Sequence, residues 1–278
     1  MAKTPHKPNK HRNRTPDIPK RSSRNRFNRH RVEPGGYDSV EGVHTPKQYF
    51  GIAPDIDLAT RVLFQDRMLL VIDKPAGIPC HAGPSGQPNL EAGLDQLRFG
   101  SKDRPTLAHR LDQDTSGCLA IARGAKGAKR LGRLFQDGLA QKTYWAVVEG
   151  GPAEDAGRID APLLKISSKE EGWRMIVDST GKSAVTEWRV LGRANGRAWI
   201  EFKPQTGRTH QIRFHAAHLG CPIVGDIRYG ASEESLLCLL ARSLILPVYN
   251  ERPNVVAEAE AAPHMAAALE AFSTVATP

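Results

Sequence analysis

Residues 109–117 read His-Arg-Leu-Asp-Gln-Asp-Thr-Ser-Gly and form the densest polar run in the chain. They place His109, Arg110, Asp112, Asp114, Thr115 and Ser116 in one loop, between Leu107 and an apolar run that starts at Cys118. Loops held by rigid strands are where reacting groups are usually presented. An aspartate beside arginines is expected to stay ionised, because nearby positive charge lowers a carboxylate's pKa. Partly removed from water, it suits nucleophilic attack or removal of a proton from carbon. A second reading is a plain turn, with Asp112 and Asp114 capping backbone amides and pairing with Arg110. Taken alone, the loop favours the turn.

A second cluster, Thr-Gly-Arg-Thr-His-Gln-Ile-Arg at 206–213, shifts the balance towards chemistry. Arg208 follows a strand ending in Lys203-Pro204, and Arg213 lies about one helical turn beyond Thr209. Both arginines can face a common cleft and offer planar forks to a carboxylate or phosphate. The helix that starts there adds free amides for an anion. His210, His215 and His218 invite a metal reading, but His210 sits roughly 140° away from His215 around a helix. No carboxylate completes a zinc-binding spacing, so no metal is expected.

The elements around these clusters can be read from period and punctuation. Residues 68–73 (Met-Leu-Leu-Val-Ile-Asp) form an apolar run closed by Lys74-Pro75, the pattern of a buried strand ending in a turn. Gly and Pro between 77 and 88 mark a loop, and Leu90, Leu94 and Leu97 share one face of a helix over 90–99. A strand is expected at 118–122, a helix at 126–136, and a β-branched, aromatic strand at 143–149. Strands at 184–191 and 198–204 flank Ala194-Asn195-Gly196-Arg197, a hairpin turn. Residues 209–220 read as a helix that starts at a Thr209 cap and stops at Gly220. Late elements fall at 235–246 and in an Ala-rich helix at 263–272. Strands in runs, with helices between them and no regular βαβ alternation, indicate an α+β fold. No phosphate-binding loop or dinucleotide fingerprint is visible, so no cofactor is expected.

Length and charge set the outer bounds. The 278 residues are 40% apolar, enough for a real core. No apolar run reaches the roughly 18–20 residues of a membrane span, and the basic N-terminus lacks the apolar stretch of a secretory signal. Cys80, Cys118, Cys221 and Cys238 are widely spaced and read as reduced thiols, so a cytoplasmic protein is expected. Residues 1–34 hold eleven Lys or Arg against Asp17 and Glu33, a net +9 that equals the charge of the whole chain. Residues 35–278 are therefore formally neutral. Residues 1–48 are expected to be a disordered basic tail, suited to phosphate contacts or to solubility, and residues 49–278 one catalytic domain.

Four segments in order carry a resemblance: Lys74-Pro75-Ala76-Gly77-Ile78, residues 109–117, Lys142-Thr143-Tyr144-Trp145-Ala146, and residues 204–226. Together they resemble the RluA family of pseudouridine synthases over about residues 57–250. The resemblance implies the pseudouridine synthase fold: a mixed, mainly antiparallel sheet with flanking helices and a central RNA-binding cleft. It implies an isomerase acting on rRNA or tRNA, without cofactor, as a monomer. Asp112 matches the catalytic aspartate and Arg213 the basic residue that pairs with it. Tyr144 matches a tyrosine that stacks near the uracil and has a proton-transfer role. Arg110 matches an arginine that helps displace the target nucleotide. Arg110, His109 and Arg208 are expected at the substrate, His109 mainly by shaping its loop.

These roles fit one reaction. Turning an N-glycoside into a C-glycoside means breaking N1–C1′, rotating the freed uracil and rejoining it through C5. The base must first leave its stack, at a cost of a few kcal/mol when paired. A buried carboxylate could act at C1′ or remove the C2′ proton, while an aromatic wall retains the base. The chain departs from the family pattern in lacking a folded RNA-binding domain before the motifs, and Leu240 stands where relatives often have histidine. The loop at 78–86 is also richer in Gly and Pro than expected. The rival readings are a catalytically inactive RNA-binding protein of the same fold and a hydrolase. The first has no need of Asp112, Tyr144 and Arg213 together, and no nucleophile elbow supports the second.

Overall fold

The apolar run after Met68 becomes the strand around which two layers of core assemble. In the computed structural model, Met1 and residues 56–82, 88–168, 172–231 and 235–273 are described. The basic tail expected over 1–48 lies, Met1 apart, outside the described residues, as does the 83–87 part of the Gly/Pro loop. In chain order the elements are β1 (Val62–Gln65), β2 (Leu69–Lys74), β3 (Thr106–Leu107), β4 (Ser116–Ala122) and α1 (Gly124–Gln136). Next come β5 (Gln141–Glu149), β6 (Ala156–Asp160), β7 (Leu163–Ser168), β8 (Gly172–Val177), β9 (Val185–Ala194) and β10 (Arg197–Pro204). The chain continues with α2 (Gln211–His218), β11 (Leu239–Leu246), β12 (Val255–Glu258) and α3 (Pro263–Ser273).

Ten strands form one sheet in the order β1-β2-β4-β11-β5-β10-β9-β6, with β12 beside β11 and β3 beside β4. The β4–β11 pair is parallel and the other pairs are antiparallel. Side chains alternate across a strand, so β2 feeds both layers. Leu69 and Val71 join a core with Leu131 and Leu134 of α1, while Leu70 and Ile72 pack on Leu90, Leu94 and Leu97. Each such side chain, fully withdrawn from water, contributes about 2 kcal/mol. A continuous apolar run is what a strand covered on both faces requires. The α+β reading and the mainly antiparallel sheet stand.

Local differences from the sequence reading have physical reasons. The helix expected at 90–99 is a 3₁₀ helix over Leu90–Leu97, started by Asn89 Oδ1 accepting the Ala92 amide at 3.1 Å. The 235–246 run becomes strand β11, with Leu240 fully buried opposite Ser116 and Trp145. An apolar side chain there leaves no polar atom to satisfy. Strands β1, β3, β6, β7, β8 and β12 escaped the sequence reading; β7 and β8 form a separate two-stranded ribbon. The hairpin turn is as expected, with Asn195 and Gly196 both at positive φ (52° and 71°), the two-residue turn that matches strand twist. No helix among the described residues is long and apolar enough to cross a membrane.

Candidate active site

The 109–117 loop leaves β3 and returns into β4, and buried groups behind it fix its backbone. Lys74, at the end of β2, has no solvent exposure. Its ammonium donates to the carbonyls of Pro75 (2.8 Å), Gln113 (2.8 Å) and Thr115 (3.0 Å). Burial pushes the Lys74 amine down to about 8, against the pull of Cys80, Asp114, Asp112 and Asp73. The Cys80 thiol donates to the Leu111 carbonyl and accepts its amide, both at 3.4 Å. The amide of Gly77 donates to the Gln113 carbonyl (3.0 Å), and that of Thr115 to the Asp112 carbonyl (3.2 Å). The loop ends at Gly117 (φ 107°), where a Cβ would collide with the Ala241 carbonyl of β11. Only glycine allows that approach.

This frame presents Asp112 to a cavity of about 550 Å³, lined also by His109, Arg110, Tyr144, Arg208 and Arg213. The six residues singled out in the sequence thus meet in one place. Asp112 differs from expectation in one respect. Arg213, Arg110 and Lys74 do pull its pKa down, but burial is the larger effect and raises it above the usual carboxylate range. The carboxylate is therefore more basic than an exposed one, which suits work on a ribose.

Tyr144 lies on β5, two residues from Lys142, so strand alternation puts both at the cavity. Burial and then the Asp112 charge push its phenol up, holding it protonated. It is an aromatic wall with a neutral hydroxyl. The half-buried His109 stacks on Phe135 at 4.2 Å, and its Nε2 accepts the Ala120 amide at 2.9 Å. Burial pushes it down to about 3, with Lys142 adding to the effect. His109 is a neutral brace for the loop. Arg110 is exposed, and its guanidinium makes no hydrogen bond to a described residue. Arg208 donates through Nε to the Ser183 carbonyl at 2.9 Å.

Arg213 was expected to pair with Asp112, but its direct partner is another residue. Nε and Nη2 form a two-pronged bond with Asp226, each at 2.7 Å, and both residues are buried. Arg213 reaches Asp112 through its field rather than by contact. The helix cap also differs: α2 begins at Gln211, and the residue before it is His210 in the left-handed region, with no side-chain cap. Gln211 takes over the ordering that Thr209 was expected to supply. Its Oε1 accepts from Thr206 Oγ1 (2.8 Å) and the Arg208 amide (2.9 Å). Its Nε2 donates to the Val185 carbonyl (3.0 Å) and Thr186 Oγ1 (2.9 Å). Lys74, Gln211 and Asp226 are thus site-building residues that spacing did not single out. All three lie inside the quoted motifs, which was the available signal.

The family model described as RNA pseudouridylate synthase matches residues 68–218, which contain Lys74, Asp112, Tyr144 and Arg213. The chain belongs to this family. A relative from Zymomonas mobilis, an uncharacterized RNA pseudouridine synthase, is 48% identical over 206 residues, covering 73% of this chain and 94% of that protein. The ribosomal large subunit pseudouridine synthase C of Rickettsia felis is 34% identical over 197 residues, 69% of this chain and 64% of that protein. Among solved structures, human RNA pseudouridylate synthase domain containing 4 superposes with a TM-score of 0.66 at 27% identity, over 78% of this chain and 94% of that one. As a pseudouridine synthase, the chain is an isomerase that acts on RNA.

Proposed function

We propose that this pseudouridine synthase isomerises uridine in large-subunit ribosomal RNA, with Asp112 acting on the ribose of a nucleotide drawn into the cleft. The observation that carries the reading is the convergence of Asp112, Tyr144 and Arg213 on one 550 Å³ cavity. In the reaction N1–C1′ breaks, the uracil turns against Tyr144, and C5–C1′ forms. The proton at C5 leaves, N1 takes one up, and no oxidant or group donor is needed. Arg110, Lys142 and Arg208 line the same cavity. A formally neutral body thus concentrates positive charge where phosphates of the displaced strand would lie.

The ribosomal target is supported by the name of the Rickettsia felis relative. Four free, buried cysteines support a reducing compartment, the cytoplasm. The test uses large-subunit rRNA and tRNA, each tritiated at uracil C5. Release of tritium to water from the rRNA is expected. Release from tRNA alone would overturn the target, and binding without release would favour an inactive RNA-binding protein.

A further inference from the structure

Three non-glycine residues among those described have positive φ: Phe99, Asn195 and His210. Asn195 occupies a hairpin turn and Phe99 is exposed; His210 is buried, at φ 52° and ψ 24°. A left-handed residue with a Cβ costs roughly 1–2 kcal/mol. Strain of this kind persists where the surroundings hold it, and it clusters at functional sites. What the strain secures here is the direction of the imidazole ring.

That ring sits at a junction. Nδ1 lies 3.0 Å from the Tyr229 hydroxyl, and Nε2 lies 3.3 Å from Arg213 Nη1 and 3.9 Å from Asp112 Oδ1. Trp173 of β8 packs on the ring with centroids 4.7 Å apart. Asp226 already takes Nε and Nη2 of Arg213, so Nη1 is the nitrogen left for His210. An Arg nitrogen only donates, so Nε2 accepts, the imidazole is neutral, and its proton sits on Nδ1 towards Tyr229. Burial and the charges of Arg213, Arg228, Arg110 and Lys165 push His210 down to about 3, in agreement with a neutral ring. The 3.9 Å approach to Asp112 is therefore a contact of a neutral ring.

Resting on the reading of Asp112 as the reacting carboxylate, we infer that His210 is a positioning residue of the isomerisation. It accepts a hydrogen bond from one N–H of Arg213 Nη1, so that the other N–H is presented in a fixed direction beside Asp112, and Tyr229 holds the ring in that pose.

The test compares His210→Gly and Tyr229→Phe with wild type in the full chain, using RNA tritiated at uracil C5. Glycine relieves the left-handed backbone while deleting the ring, so melting temperature should not suffer from strain. Single-turnover rate at saturating enzyme should fall about 10–100-fold in His210→Gly, with RNA Kd within about threefold of wild type. Tyr229→Phe, which leaves the ring but frees it to swivel, should lose about three- to tenfold in the same rate. A saturated rate within about threefold of wild type in His210→Gly overturns the inference, as does a loss matched by an equal loss of RNA affinity. Should the glycine variant fail to fold, a wild-type rate in Tyr229→Phe overturns it alone. Asp112→Asn in parallel separates the two layers. Activity there sinks the underlying reading, whereas a dead Asp112→Asn beside a fully active His210→Gly sinks only this one.

Discussion

Two loops bring opposite charges to the same cleft and are held in different ways. The Asp112 loop is fixed through its backbone: Lys74 and Cys80 grip the peptide groups of residues 111, 113 and 115 from behind. The Arg208 loop is held mainly through side chains: the four hydrogen bonds of Gln211 tie residues 206 and 208 to β9, and Lys142 and Arg208 itself add bonds to the Thr206 and Ser183 carbonyls. A backbone clamp leaves the Asp112 side chain free to react while denying it freedom of place. A side-chain clamp sets the position of arginines that, on the proposed reading, attract the RNA over a distance. Disturbing the first should cost rate, and disturbing the second should cost affinity.

Among changes to what holds the two loops, the largest effect is expected from Lys74→Met. Removing the ammonium leaves the Pro75 and Thr115 carbonyls buried without that donor, about 1–3 kcal/mol each, at the expense of the loop's set position. Saturated single-turnover rate should fall about 100-fold with RNA Kd little changed. A parallel loss of affinity would erase the contrast between the loops. Wild type should also show a two-limbed pH profile. Rate rises as Asp112 ionises, at a pH above the usual carboxylate range because its pKa is raised. Rate then falls above about 8, where Lys74 loses the third proton that its three carbonyls use. His109 and His210, both near 3, stay neutral and add no limb around neutrality. A Lys74→Met variant that keeps the alkaline limb would remove Lys74 from the account.

Tyr144 stands between the loops and should show a smaller effect that depends on the substituent. Tyr144→Ala loses the wall and should drop about 30-fold in saturated rate, whereas Tyr144→Phe keeps it and should stay within about threefold. A phenol held protonated by burial is a poor base. Equal losses in the two variants would show that the hydroxyl carries the proton-transfer role that the family resemblance implies.

The smallest effect belongs to Gln211→Ala. Loosening the 206–208 turn should weaken RNA binding about tenfold, mostly at low salt, with the saturated rate close to wild type. Rate loss without affinity loss would show that the second loop also places reacting atoms.

Much of this was legible before any coordinate. The β2, β4, β5, β9 and β10 strands announce themselves by apolar or β-branched runs, and the Asn195-Gly196 turn by its residues. Asp112, Tyr144 and Arg213 were legible because the residues around each carry the family pattern. The rest depends on partners distant in sequence. Nothing local says that Lys74 caps carbonyls about 40 positions later, or that Asp226 rather than Asp112 takes the Arg213 fork. The sign of the Asp112 shift was misread because burial, invisible in spacing, outweighs neighbouring arginines. The 235–246 run could not be typed because a short apolar stretch suits helix and strand alike. The β6–β8 strands were missed because few of their residues are buried, chiefly Ile159, Leu163 and Met175.

The central claim is that the Asp112 carboxylate, and not the cleft as a whole, carries the chemistry. The direct test is Asp112→Asn on rRNA tritiated at uracil C5, followed in a single turnover at saturating enzyme. Asparagine keeps the shape and cannot carry the charge. The account predicts unchanged RNA affinity and melting temperature with tritium release below about a thousandth of the wild-type rate, a barrier increase of about 4 kcal/mol. Release at more than about a tenth of the wild-type rate would contradict it.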